Sequence, residues 1–371
     1  MKGKKKIAFI VSNLCTKGGT ERVTSLLSKE LSKFYECYII TQWNVGNFAF
    51  EIAEDVGVFN VSDSKKRLRY SLLECITSIT RFVNKNKIEI LVVVGRNNNI
   101  IPFLLKPFIK SKIIFCEHST INKKFANPKY TFKNRMYNKF FNWSIATFSE
   151  KIVVLTEKEA NNYIDILKIN KEKLKIIPNI HTESIYHSEY NIKSKIICTV
   201  GRIENEKGVD LLLKVAEKVF MKNREWKWYL YGKGKSDYID NLELQIKNLK
   251  LCNQFLLKGS INDVDKVMRE SSFFVFGSRF EGFGLVLLEA KANKLPLISF
   301  DIHSGPSDII RDGVDGYLIK PFDTDAMANK ICELIENEEL RQRFSDNASG
   351  NLYKFDKDTI IKKWCDLIDN I

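Results

Sequence analysis

No uninterrupted apolar run in this sequence approaches the roughly 18 residues that a membrane-spanning helix needs, so any membrane contact is expected to be peripheral. The basic start, Lys2 to Lys6, is followed by an apolar stretch, Ile7 to Val11, that ends at once in Ser12 and Asn13. That is too short for a secretory leader and reads as a first strand. The eight cysteines, at 15, 37, 75, 116, 198, 252, 332 and 365, form no C-x-x-C and do not cluster with the four histidines. A zinc or disulfide framework is therefore set aside, and reduced thiols of a cytoplasmic chain are expected. Acidic residues are scarce in one half only. Up to Tyr190 there are 31 basic and 17 acidic side chains, and beyond it 28 of each, so the first half carries the whole net charge of +14. Such a split points to two domains with different partners, the first facing something anionic.

What is present is a long alternation. Short β-branched runs and longer helical patterns follow one another almost from end to end of the 371 residues, the signature of parallel sheets covered on both faces by helices. Strands are expected at Lys6–Val11, Cys37–Gln42, Ile88–Val94, Ile113–Cys116, Lys151–Leu155 and Lys175–Ile177, with helices at Thr20–Lys33, Leu68–Asn84 and Lys133–Phe148. The pattern breaks at Pro178-Asn179, and the polar stretch His181–Lys195 reads as a linker. A second series of strands runs Lys195–Val200, Lys227–Tyr231, Phe255–Lys258, Phe273–Phe276 and Leu297–Phe300. The expected fold class is α/β, with two doubly wound Rossmann-like domains, 1–180 and 181–371, facing each other across a cleft and the last helix returning to the first domain. Ligands in such sheets lie beyond the carboxyl ends of the strands.

Five segments stand at those ends. Gly18-Gly19-Thr20-Glu21 opens a helix after the first strand; two glycines let backbone approach a ligand, although the segment is neither a dinucleotide fingerprint nor an NTPase phosphate loop, and a plain tight turn explains it equally. Glu117-His118-Ser119 follows the strand ending at Cys116, where an imidazole can donate or accept near neutral pH, though a lone histidine is more often structural. Arg202 and Lys207 lie between Gly201 and Gly208 after the first strand of the second half, placed to converge on a diphosphate; the bland reading is a solvated pair balanced by Glu204 and Glu206. The most specific segment is Glu281-Gly-Phe-Gly-Leu-Val-Leu-Leu-Glu289. Its helix-opening amides at Phe283, Gly284 and Leu285 suit a phosphate, while two carboxylates beside phosphates require hydroxyl partners, so the pair implies a sugar nucleotide. Last, Ser304-Gly-Pro-Ser307 would border the same phosphate site.

Together, Gly-Gly-Thr-Glu, Glu-His-Ser, the Gly-Arg…Lys-Gly pair, the E-x7-E block and Gly-Pro-Ser-Asp…Asp-Gly-Val-Asp-Gly resemble the family 4 glycosyltransferases over nearly the whole chain, most specifically in the second half. The resemblance implies a retaining, nucleotide-sugar-dependent enzyme of GT-B architecture that needs no obligatory metal or cofactor. It implies that Arg202 and Lys207 neutralise the donor's diphosphate, Glu289 holds the ribose, Glu281 contacts the transferred sugar, Gly18 and Gly19 approach the donor, and His118 orients the sugar. A uridine diphosphate sugar is the first expectation for the donor. Thr20 stands where alanine is frequent in the family and Asp308 where glutamate is, which leaves the sugar open. Asp263-Val-Asp265 and Asp323-Thr-Asp325 look like a metal motif, but both fall at helix starts, where N-capping is expected.

On the acceptor side, Lys123, Lys124, Lys129, Lys133, Arg135 and Lys139 interleave with aromatics from Phe125 to Trp143, with Lys65–Tyr70 as a possible second patch. A basic aromatic helix can rest on an anionic bilayer; the alternative is that its aromatic face packs inward. The surface reading makes a lipid-diphosphate-linked glycan the natural acceptor, in bacterial capsule, O-antigen or related assembly on the inner face of the cytoplasmic membrane. Two rivals compete. Nucleic-acid binding would use the charge but leaves the second half's phosphate loops unexplained and has no recognisable module. A sugar-nucleotide epimerase, or an inactive partner subunit, would keep the fold and drop the transfer.

Overall fold

The computed structural model describes residues 3–64, 72–121, 132–181 and 189–371, with backbone alone at 132–135 and 137. The chain divides into two units, Met1–Thr182 with Phe355–Ile371, and Glu183–Lys354.

The first unit runs β1 (Lys6–Val11), α1 (Gly19–Leu31), β2 (Glu36–Thr41), β3 (Gly57–Asn60), α2 (Leu72–Asn86), β4 (Ile90–Val94), α3 (Ile101–Leu105), β5 (Lys112–Cys116), α4 (Phe132–Phe148), β6 (Lys151–Val154), α5 (Glu157–Leu167) and β7 (Leu174–Ile176). Its strands form one parallel sheet in the order β3-β2-β1-β4-β5-β6-β7. The central strands carry near-continuous apolar runs because helices cover both faces: Ile7 to Ile10 and Leu91 to Val93 have no exposed surface.

The second unit runs β8 (Ile196–Val200), α6 (Val209–Val219), β9 (Lys227–Tyr231), α7 (Ser236–Asn248), β10 (Phe255–Gly259), α8 (Val264–Arg269), β11 (Phe273–Phe276), α9 (Leu285–Ala292), β12 (Leu297–Phe300), α10 (Pro306–Ile309), β13 (Gly316–Ile319), α11 (Thr324–Glu336) and α12 (Glu338–Asn347). Its sheet, also parallel, is ordered β10-β9-β8-β11-β12-β13. The final helix, α13 (Lys357–Asp369), belongs to the first unit. It buries Ile360, Trp364 and Ile368 there, while Lys5 Nζ donates to Ile368 O (2.8 Å) and Tyr35 OH to Asp369 Oδ1 (3.0 Å).

Both sheets reverse strand order once, β1 beside β4 and β8 beside β11, and a parallel sheet opens a crevice beyond the strand ends at such a reversal. The loops leaving these strands carry most of the residues singled out from the sequence. The strands and helices lie within a few residues of expectation. β3, β13, α3, α5 and α12 are additional, and residues 182–188 of the linker lie outside the described residues. Asp263 and Asp323 cap helices, each accepting from a backbone amide three residues on (2.9 Å to Lys266 N and to Ala326 N). No helix among the described residues is long and apolar enough to cross a membrane.

Candidate active site

In the second unit the crevice is built from the exit loops of β8 and β11. After Val200 the chain passes Gly201 and Arg202, makes a 3-10 turn at Asn205–Lys207, and enters α6 through Gly208. Gly208 is left-handed (φ +64°), and a Cβ on it would lie 2.0 Å from the carbonyl oxygen of Gly277, the first residue after β11. Only glycine lets the two loops touch there. They are then cross-linked four times, once by Arg279 Nη1 donating to Asn205 O (2.5 Å). Arg279 N donates to Glu206 O (2.9 Å). The Arg279 guanidinium forks onto Asp210, Nη1 to Oδ1 at 2.8 Å and Nη2 to Oδ2 at 2.6 Å. Lys207 Nζ meets Glu281 Oε1, which also accepts from Ser278 Oγ (2.8 Å).

The neighbouring loop closes on the same place. Gly284, at φ +91°, caps α9, whose first turn carries no acidic side chain to offset its amide dipole. Phe283 is buried, while Leu285 and, one turn on, Glu289 are half-buried. Beyond β12, Ser304 Oγ donates to Gly282 O (3.1 Å), and Gly305 (φ +103°) approaches so closely that a Cβ would sit 2.1 Å from Phe283 O. Behind this, α9 is tied down by a fully buried cation: Lys291 Nζ donates to Ile309 O (2.9 Å) and pairs with Asp315 Oδ2 (2.8 Å), which Arg311 Nε also reaches (2.6 Å). Burial pushes the Lys291 ammonium down to about 8 against the pull of Asp315.

Lys207, Glu281 and the opening of α9 thus come together. Arg202 lies on the same loop but is 61% exposed and is held by Glu204 (2.9 Å) and Glu206 (3.8 Å) in this state.

In the first unit, Gly18 caps α1 in an extended conformation (φ −129°) and Gly19 begins the helix, with Asn13 Oδ1 accepting from Cys15 N (3.1 Å) and Thr16 N (3.0 Å) to shape the approach. His118 follows β5, its Nε2 3.4 Å from Cys116 Sγ. It keeps some exposed surface, yet the protein packed around the ring depresses its pKa to about 4, so the imidazole is neutral at pH 7. The loop carrying it is fixed by buried groups. Glu117 accepts from Tyr163 OH (2.8 Å) and from Ser119 N (3.0 Å) and faces Arg96 Nε at 3.5 Å. Glu159 accepts from Thr120 Oγ1 (2.8 Å) and Ile121 N (2.7 Å), and burial holds it above the usual carboxylate range.

Arg96, Glu159, Tyr163, Asp210, Arg279 and Ser278 were not among the sequence candidates. One signal was available: Thr156-Glu-Lys-Glu159 is a helix N-terminus pattern, and Thr156 Oγ1 does accept from Glu159 N (3.1 Å). The Asp210–Arg279 pairing leaves no local trace.

Two parallel-sheet units, each with a single reversal of strand order, define a double Rossmann-like α/β protein. Residues 17–180 match the model for Glycosyltransferase Family 4 and residues 183–350 that for Glycosyl transferases group 1. The chain belongs to these family 4, GT-B-fold glycosyltransferases. It is 27% identical over 371 residues to the amylovoran biosynthesis glycosyltransferase AmsD of Erwinia amylovora, covering 98% of this chain and 99% of that one. It is 26% identical over 344 residues to the poly(ribitol-phosphate) alpha-N-acetylglucosaminyltransferase of Staphylococcus aureus, covering 90% of this chain but only 64% of the relative, just under two thirds. Among solved structures, a variant of S. aureus TarM in complex with fondaparinux, alpha-GlcNAc-glycerol and UDP superposes with a TM-score of 0.78 at 19% identity, covering 98% of this chain and 99% of that one. The chain is thus a glycosyltransferase whose relatives build bacterial surface polysaccharides.

Proposed function

We propose that this enzyme is a retaining transferase that moves a hexose or N-acetylhexosamine from a nucleotide diphosphate sugar, first of all a uridine diphosphate sugar, to a lipid-diphosphate-linked glycan, without an obligatory metal. The observation that carries the reading is the meeting of Lys207, Glu281 and the acid-free opening of α9 at the β8/β11 reversal. Breaking the bond between the anomeric carbon and the diphosphate leaves negative charge on the departing oxygen. A fixed ammonium and helix amides stabilise that charge where other enzymes use a metal. The acceptor hydroxyl attacks from the face the diphosphate leaves, giving its proton to a departing phosphate oxygen. Glu289 holds the ribose diol, Glu281 the sugar hydroxyls, Arg202 swings from its glutamates onto the phosphates, Gly18 and Gly19 approach the donor, and His118, as a neutral imidazole, orients the sugar. The UDP in the TarM complex and the N-acetylglucosamine in the staphylococcal relative's name support this donor class.

An anionic membrane surface is the partner we assign to the first unit, on the inner face of the cytoplasmic membrane. In α4, Met136, Lys139, Phe140 and Trp143 are exposed. Residues 122–131 and 65–71, and the side chains of Lys133 and Arg135, lie outside the described residues. The test is incubation of the purified enzyme with a nucleotide-sugar panel and lipid-linked acceptors. Transfer releases the nucleoside diphosphate and forms a linkage whose anomeric configuration, read by NMR, matches the donor's. Appearance of a new sugar nucleotide would indicate an epimerase. Retention by nucleic acid at about 150 mM salt with no sugar-nucleotide binding would defeat both readings.

A further inference from the structure

Among the described residues, the Lys207 ammonium makes one ion pair, to Glu281, and the Glu281 carboxylate has one further partner, Ser278 Oγ. The charged groups around the pair are committed elsewhere: Arg279 to Asp210, Arg202 to Glu204 and Glu206. Both partners are mostly withdrawn from water, with side chains 23% and 14% exposed, so bulk solvent screens their attraction only in part. In this state the cation that a diphosphate needs is therefore already neutralised by an internal anion on the facing loop.

A phosphate cannot join that pair without displacing the carboxylate or sitting against it, since two anions at one ammonium repel. The displaced carboxylate then needs donors of its own, because a partly buried charge without partners is costly. A complete donor supplies them as sugar hydroxyls. The nucleoside diphosphate left after transfer does not.

Building on the donor-site reading above, we propose that Glu281 is a resident competitor for Lys207. It holds the ammonium in the empty site, yields it when sugar hydroxyls arrive to satisfy the carboxylate, and retakes it once the sugar has left, expelling the nucleoside diphosphate product. The balance is a difference of affinities between two states of one side chain, and only a ligand carrying the sugar favours the yielded state. The proposal fixes an unusual sign. Removing the charge of Glu281 slows transfer yet tightens product binding, whereas a carboxylate that only packs or only contacts sugar would leave product affinity unchanged.

The test is calorimetric titration of the full chain with UDP and, separately, with inorganic pyrophosphate, using wild type, Glu281→Gln, Lys207→Ala and the double variant. Gln keeps the size of Glu and its acceptor oxygen toward Ser278. Glu281→Gln is expected to bind UDP about tenfold more tightly than wild type, and the gain is expected to vanish when Lys207 is absent, as two groups acting through one contact require. The product-inhibition constant for UDP should fall in parallel. Equal or weaker UDP binding by Glu281→Gln overturns the proposal, and so does a gain that survives in the Lys207→Ala background. If folded wild-type protein binds neither UDP, GDP nor ADP, the donor-site reading itself is wrong and the proposal falls with it, an outcome distinct from binding that is merely insensitive to residue 281.

Discussion

Arg279 and Asp210, 69 residues apart in the chain, meet through both prongs of the guanidinium, at 2.8 and 2.6 Å. The contact fixes the exit loop of β11 against the first turn of α6, and with it the distance between Lys207 and Glu281. A lysine keeps the charge but loses the fork. Arg279→Lys is therefore expected to lower kcat/KM about tenfold and stability by roughly 1–2 kcal/mol, read from steady-state kinetics and urea unfolding.

Gly208 is the second device holding these loops. A methyl group there would collide with backbone, the Gly277 carbonyl oxygen, at a left-handed φ that alanine also resists. Gly208→Ala should cost roughly 2–4 kcal/mol in urea unfolding and abolish donor binding, whereas Gly259→Ala, also at positive φ but with open space around the site of the added methyl, should cost about 1 kcal/mol.

Under the proposed function, Lys207→Ala removes the cation assigned to the departing diphosphate. Turnover is expected to fall at least about 100-fold with circular dichroism unchanged, the scale of losing one preorganised electrostatic contact. A folded variant with near wild-type turnover would contradict the role.

His118 titrates in the fold near 4 rather than near 6.5. Between these values the unfolded chain binds a proton that the fold refuses, so stability is full above about pH 6.5 and is lost as pH falls toward 4. Urea midpoints of wild type and His118→Asn should converge as pH is lowered through this window, and log kcat/KM of the wild type should show no ionisation near 6.5.

Lys291 and Asp315 have no exposed side-chain surface. Lys291→Met would leave a buried carboxylate with Arg311 alone and loosen α9 from Ile309. A loss of about 3–5 kcal/mol is expected, partly restored by Asp315→Asn, measured by thermal and urea unfolding.

How much of this was legible from sequence differs by element. The central strands read clearly because both faces are covered, so an uninterrupted apolar run such as Phe273–Phe276 has no other explanation. Edge strand β3 did not, because its four residues, three half-buried and Val58 exposed, carry neither an apolar run nor a buried face. Gly201, Gly208 and Gly284 marked the loops by chemistry alone. The cross-links between those loops, Arg279 to Asp210 and Lys207 to Glu281, depend on which strands become neighbours, and β8 beside β11 is a property of the whole sheet. Likewise Thr156-Glu-Lys-Glu159 carries a helix-start pattern, but only the fold turns the Glu159 carboxylate onto Thr120 and Ile121.

Hydrogen–deuterium exchange with and without UDP asks most directly whether the second unit's strand tips grip a nucleoside diphosphate. Slowed exchange confined to residues 201–208 and 282–289, and lost in Lys207→Ala, is the predicted result. Saturating UDP that leaves both segments unchanged, or protects only residues elsewhere, would contradict it.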